Sequence, residues 1–579
     1  MPSAGDRLFP VRVPVRTNLL FLAVVAFLAA ALLYPLLLMV GGAFRADDGG
    51  FTLRHLFAVL SEPATQRGLL NSTVIALAAT ALASALAIPL AVLTTRYAFP
   101  GRKALSACLL LPLVLPPFVG AIGIRHVLGR AGSLNALLGT EVDWMGRGGI
   151  AAIAVLEALS LFPILYLNVA AALANVDPAL EDAARSAGAG AWTRFRRVTL
   201  PLVRPGFFAG ATVIFIWSFT ELGTPLMFEF HEVTSVQVFE GIKEVEASRR
   251  PYALVVALLA CSVAFYFLGK FALGRGAAAA HAKASVRRTE RALRGTPAAL
   301  ATAALAATAF VAALPALAVV GASLTVPGQW YASVLPRSIT ASHFAEALSH
   351  PLAAGSIRTS LVLSVAAVAL ALAVGFASAR LLARANLRLA WLLDALVMLP
   401  LAVPGLVLAF GYVAASLEWP FAGPGAPLAG IASVLGPAPN PLPFLVVAYA
   451  VRRLPYVVRS AVAGLEQTSV ELEDAGRVAG ASRWRVQRRI VVPLIAANLA
   501  AGALLAFSFS MLEVSDSLLL AQREAHYPVT KAIYTLFDRL GDGPGIASAM
   551  GVWAMALLAV TLLGASALIG KKMGAIFRA

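Results

Sequence analysis

A chain of 579 residues that is 60% apolar, with a mean hydropathy of +0.82, is too apolar for an ordinary soluble fold, and its many uninterrupted apolar runs have the length of membrane spans. Continuous rather than alternating apolarity excludes a transmembrane β-barrel. The formal charge of +17 is concentrated at the ends of the runs, where it sets membrane orientation, and this argues against nucleic acid as a partner.

Arg7, Arg12 and Arg16 precede the first apolar run, near 18–43. That run is much longer than the h-region of a cleaved signal, so a retained first span is expected. Further runs fall near 69–95, 104–124, 149–174, 205–228 and 251–273. A basic, Ala-rich connector at 276–297 follows, carrying Lys283, Arg287, Arg288, Arg291 and Arg294, and suits a position beside anionic lipid headgroups. Six more runs lie near 298–324, 356–379, 389–416, 441–458, 494–520 and 545–570. The run at 441–458 is broken by Pro441, Pro443 and Pro455 and is the weakest of the twelve. With the N-terminus inside, 32 of the 46 Lys and Arg fall on the cytoplasmic side, which predicts twelve spans with both termini cytoplasmic. Cys108 and Cys261 sit inside apolar runs as small hydrophobes, with no disulfide or zinc spacing.

The expected fold class is therefore an all-α polytopic membrane protein, with a first six-span repeat at 1–275 and a second at 298–579. Six spans is an even number, so both repeats enter the membrane in the same direction, related by a pseudo-two-fold axis along its normal. Pro112 and Pro116 match Pro400 and Pro404 at an offset of 288, and these prolines should bend the third span of each half.

One polar stretch occurs twice, at about 177–204 and 466–496, each between the fourth and fifth spans of its half. The first copy reads Glu181-Asp182-Ala183-Ala184, then Gly188, then Val198-Thr199-Leu200-Pro201. The second reads Glu473-Asp474-Ala475-Gly476, then Gly480, then Ile490-Val491-Val492-Pro493. All landmarks keep an offset of 292, as do Trp192 with Trp484 and Arg196-Arg197 with Arg488-Arg489. Asp177 is a plausible N-cap, with acids following in the first turn. The small residues let another surface approach closely, and Gly188 with Gly190 supplies a break. A short basic helix from about Trp192 to Val198 then completes a knuckle projecting from the membrane. Basic loops beside a membrane satisfy the positive-inside rule, but that rule explains neither the acid–small–small–glycine spacing nor its recurrence.

On these residues the chain resembles the transmembrane permease subunits of binding-protein-dependent ABC importers, whose loop carries an acidic-Ala-Ala, Gly, Ile-x-Leu-Pro signature. The resemblance spans essentially the whole chain as a fusion of two permease repeats. Asp182 and Asp474 replace the usual Glu, Gly476 the second Ala, and Val492 the Leu. It implies that the two loops dock in grooves of two copies of a cytoplasmic ABC ATPase, through Asp182, Ala183, Gly188, Asp474, Ala475 and Gly480. It also implies a periplasmic or lipid-anchored solute-binding protein as partner, and residence in a bacterial cytoplasmic (inner) membrane. No phosphate-cradling G-x-x-x-x-G-K-[ST] is present, since Gly269-Lys270 precedes Phe271 and Gly570-Lys571 precedes Lys572. No cofactor is therefore expected on this chain; ATP and Mg belong to the partner ATPase, and the permease is not an enzyme.

Five acids fall inside spans: Glu157, Glu221, Asp394, Glu513 and Asp516. Their cost in a bilayer makes a functional reading the default. Glu221 and Glu513 are equivalent at the 292 offset, placed to face each other across the axis and line the pathway; Asp516 is a third candidate. Glu157 and Asp394 read as packing or interface residues. The seven histidines are scattered, mostly in outer loops, and read as solvated. Fused permeases of this pattern resemble ferric-iron importers, and Glu221-Leu222-Gly223-Thr224-Pro225 is similar to their fifth-span region. Ferric iron is the expected cargo, with thiamine, polyamine, phosphonate and sulfate as alternatives. An ion-coupled secondary transporter with a six-plus-six repeat is the rival class; it does not account for the knuckles. A membrane-embedded enzyme would need a nucleophile or metal-ligand set near an interface, and none is evident.

Overall fold

In the computed structural model the residues described are 15–46, 48–145, 149–273, 290–385, 387–539 and 541–569. Most of the basic connector and both termini lie outside them. Among the described residues eight helices are long and apolar enough to cross a membrane: Thr17–Phe44, Pro63–Arg96, Ile150–Ala174, Ala191–Phe219, Arg250–Phe271, Thr296–Ser323, Pro351–Arg384 and Gly543–Leu568. Three bent pairs add Arg102–Val114 with Pro117–Leu138, Ala390–Ala402 with Gly405–Ser416, and Arg483–Leu494 with Ala496–Met511. The tenth span is Leu442–Glu466. It is less apolar than the others because it carries Arg452 and Arg453. Contrary to the sequence reading, its prolines do not break it. Pro443 stands in the first turn, where no intrahelical donor is lost, and Pro455 is accommodated inside a continuous helix.

The third and ninth spans turn through 100° and 104°. The cause is the same in both. Leu115 precedes Pro116 and Val403 precedes Pro404, and each is extended (ψ 115° and 126°), as the proline ring requires of its predecessor. The fifth and eleventh spans end at Phe219 and Met511. The chain then re-enters through the short helices Gly223–Met227 and Ser515–Leu520, followed by Thr234–Gly241 and Val529–Phe537.

The halves exchange their first spans. Phe21, Val24 and Leu28 pack with Ala379, Leu393 and Leu454 of the second half, and the Tyr412 hydroxyl donates to Ala31 O at 2.7 Å. Reciprocally, Leu305, Ala309 and Ala312 of the seventh span join Ala83 and Phe162 of the first half. Two glycines make the crossings close. A Cβ on Gly123 would stand 2.3 Å from Pro315 O, and one on Gly411 would stand 3.1 Å from Pro35 O. Gly123 and Gly411 are 288 apart, so the contact is repeated by the pseudo-symmetry. After the connector, Arg291–Ala292 pairs in parallel with Tyr97–Ala98, and Arg102 meets Glu290 at 2.9 Å, docking the start of the second half on the first.

Candidate functional site

Each knuckle begins with a nine-residue helix, Pro178–Ser186 or Val470–Val478. Asp177 caps the first by accepting the Ala179 N–H at 2.9 Å, and Ser469 caps the second by accepting that of Glu471 at 3.2 Å. Both helices end in a left-handed glycine, Gly188 and Gly480, each with φ +79°. The closing hydrogen bonds also match: Ala189 N–H donates to Ala184 O and Ala481 N–H to Gly476 O, both at 3.0 Å. This is the Schellman pattern that a glycine at C′ permits. Gly190 has φ −63° and needs no such freedom.

Beyond the glycine the structure differs from the sequence reading. No separate basic helix runs from Trp192 to Val198. Ala191–Arg194 continues through a π turn, Phe195–Thr199, directly into the fifth span, so Pro201 lies within a continuous helix. The second copy has its π turn at Gln487–Val491 and then bends by 75°, with Pro493 just ahead of the bend.

The two faces of each knuckle differ in exposure. Asp182, Ala183 and Gly188 are exposed, as are Asp474, Ala475 and Gly480. Trp192, Trp484 and Val478 are also exposed, the last at 89%. Glu181 and Glu473 turn inward and are buried. Glu181 pairs with Arg96 and accepts from Thr199 Oγ1 at 2.7 Å. Glu473 pairs with Arg380 at 2.7 Å and Arg384 at 3.1 Å, and Arg384 also donates to Leu465 O and Thr468 O. Burial raises the Glu473 carboxyl, but hydrogen bonds and charge from Arg380 and Arg384 more than offset it, holding the group below the usual carboxylate range. Gly476 replaces the second Ala for a local reason. A Cβ there would meet Ile490 Cδ1 at 2.6 Å, whereas the equivalent first-half pair is Ala184 with the smaller Val198.

The halves meet where their fifth spans end. Val514 Cγ1 lies 3.1 Å from where a Cβ on Gly223 would be, so Glu221 and Glu513 flank a closed contact. Their settings differ. Glu221 accepts the backbone N–H groups of Gly223 (3.2 Å) and Thr224 (3.3 Å). Among the described residues neither it nor the neighbouring buried Glu157 forms an ion pair. Glu513 is held by Arg452 at 3.2 Å and by Arg453, and Arg452 also reaches Asp516 at 3.1 Å and Gly405 O at 2.7 Å. The 32 Lys and Arg assigned to the cytoplasmic side include Arg452 and Arg453, taken as lying at the end of the run 441–458. They instead lie midway along the tenth span, whose register puts Ser160 and Leu161 at the equivalent first-half positions. Asp394 meets Arg459 at 3.3 Å on a half-exposed surface. His343 is buried against Ser323 O, not solvated as expected. Among the described residues no group of His, Cys, Asp and Glu could hold a metal ion.

A model of the family described as "Binding-protein-dependent transport system inner membrane component" matches residues 85–274 and again 371–573. The chain belongs to that family. It is a duplicated ABC importer permease, each match covering one knuckle. This permease is 37% identical over 181 residues to the molybdenum transport system permease protein ModB of Escherichia coli (strain K12), covering 29% of this chain and 74% of that protein. It is 30% identical over 415 residues to a probable ABC transporter permease, y4fN, of Sinorhizobium fredii, covering 69% of each. It is 23% identical over 576 residues to the ferric transport system permease protein FbpB of Actinobacillus pleuropneumoniae, covering 93% of this chain and 77% of that one.

Proposed function

We propose that this permease forms the cargo pathway of an ATP-driven importer of the bacterial inner membrane, and that its two knuckles couple the pathway to two copies of a separate cytoplasmic ATPase. ATP and Mg are bound by that partner, and a solute-binding protein delivers cargo from the outer side. The observation that carries the reading is the pair of knuckles. They are 292 residues apart, capped and terminated alike, and each exposes an Asp-Ala face beside an exposed Trp. Closure of two ATPase subunits moves both knuckles together, shifting the halves between two access states by differential binding.

Ferric iron is the proposed cargo, supported by the near full-length similarity to a ferric transport permease. The second reading, a molybdenum oxyanion, is favoured by Arg452 and Arg453 at the level where the halves meet. Uptake of radioactive iron and of molybdate into cells with and without the permease separates the two. The coupling role is tested by Gly188→Val with Gly480→Val. A β-branched residue at φ +79° strains the turn. Transport should fall while the protein still inserts; unchanged uptake by the double variant would count against the role.

A further inference from the structure

Glu181 and Glu473 sit in the knuckles yet point away from the face offered to a partner. What they hold is the second span of their own half, Pro63–Arg96 or Pro351–Arg384, which is not adjacent to the knuckle in the chain. The anchors fall at the cytoplasmic end of that helix, at Arg96 and, 288 residues later, Arg384. Arg380 strengthens the second anchor where the first half has Val92, and Thr199 strengthens the first where the second half has Val491.

The far end of the same helix carries a second pair of matched contacts. Ser72 Oγ accepts the Thr234 N–H at 3.1 Å, and Ser360 Oγ, also 288 residues later, accepts the Val529 N–H at 2.8 Å. The next residue in each case reaches the end of the fifth or eleventh span: Ser235 Oγ donates to Glu221 O at 2.5 Å and Thr530 Oγ1 to Glu513 O at 2.6 Å. Between the two ends runs unbroken helix, about 36 Å at 1.5 Å per residue. Without such an anchor, a nine-residue helix exposed on most sides and hinged at a glycine would absorb a push rather than deliver it.

We propose that the second span of each half is a transmission rod, joining its knuckle through Glu181 or Glu473 to the segment that closes the pathway at Glu221 or Glu513. Glu181 and Glu473 are thus positioning residues, acting through the helix and not through contact with the ATPase. The proposal rests on the coupling reading above and adds to it the route through this chain.

The test uses the complete transporter in proteoliposomes, with cargo moved per ATP hydrolysed as the readout, normalised to assembled complex. Two double variants address the two ends: Glu181→Gln with Glu473→Gln, and Ser72→Ala with Ser360→Ala. Each should lower the ratio about tenfold, the scale of a typical coupling energy. Combining all four should lower it no further, because one linkage is cut twice. Effects that multiply would overturn the rod, as would an unchanged ratio in either double variant. If the Gln variant fails to insert, the reversed pair Arg96→Glu with Glu181→Arg decides. Restored insertion with restored ratio supports the proposal, and restored insertion without the ratio, or no restoration at all, overturns it. A wild-type complex lacking any associated ATPase would instead sink the coupling reading, which separates the two failures.

Discussion

Glu221 and Glu513 occupy the same place in the repeat, but their chemistry has diverged. Glu513 shares Arg452 and Arg453 with Asp516 in a buried network, whereas Glu221 serves as a local cap for Gly223 and Thr224. Removing one partner of a buried ion pair costs about 3–5 kcal/mol, because the other charge is left desolvated. Glu513→Gln or Arg452→Met should therefore lower the thermal stability of the detergent-solubilised protein sharply. Glu221→Gln keeps an acceptor for the two N–H groups and should cost about 1 kcal/mol or less. Equal losses in melting experiments would refute the asymmetry. The acids were legible in the sequence because charge stands out inside an apolar run. Their partners were not, since Arg452 and Arg453 lie close enough to a run's end to be counted as loop residues. The signal that was available is the pair of consecutive arginines within a 25-residue segment otherwise rich in Val, Ala and Leu.

At the scale of the element, the knuckle shows what spacing can and cannot reveal. Gly188 and Gly480 were readable because few residues other than glycine end a helix at φ +79°. The inward turn of Glu181 and Glu473 was not, because their partners lie on a different helix about 90 residues earlier. The π turn that fuses the second knuckle helix to the span leaves no compositional mark either. Burial of Glu473 gives a pH expectation with a definite sign. Its folded carboxyl lies below the ordinary value, so the ion pair's contribution is complete above the unfolded pKa of about 4.3 and disappears as pH falls through the lower folded value. Hydrogen-exchange protection of Val470–Val478, corrected for intrinsic rates, should stay level from neutral pH down to about 5 and decline only below that. Loss of protection already near pH 6 would mean that another group holds the knuckle in place.

For the whole molecule, the exchange of first spans decides how the duplication is used. In each half the groove that receives a first span is filled by the other half's helix, with Gly123 against Pro315 and Gly411 against Pro35. A half on its own would keep its first span only against its own sixth, as Gly42 lies against Tyr252, and would leave the reciprocal groove open. Packing of closely approaching helices, more than apolarity itself, is what holds spans together inside a bilayer. The twelve apolar runs and their common direction followed from composition and repeat length, but the exchange did not, because apolar runs carry no record of which neighbour they face. The reciprocal glycines carry part of that record, visible only once both halves are aligned at 288. Severing the chain just ahead of Glu290 therefore gives a clear expectation. The two pieces expressed together should co-purify as one assembly in mild detergent, since the contacts between them do not depend on the connector. Each piece expressed alone should be degraded or self-associate. Gly411→Val in the second piece should weaken recovery of the first, because its side chain would have to displace the backbone at Pro35. Stable, monodisperse single halves would show that the exchanged spans are incidental to the fold.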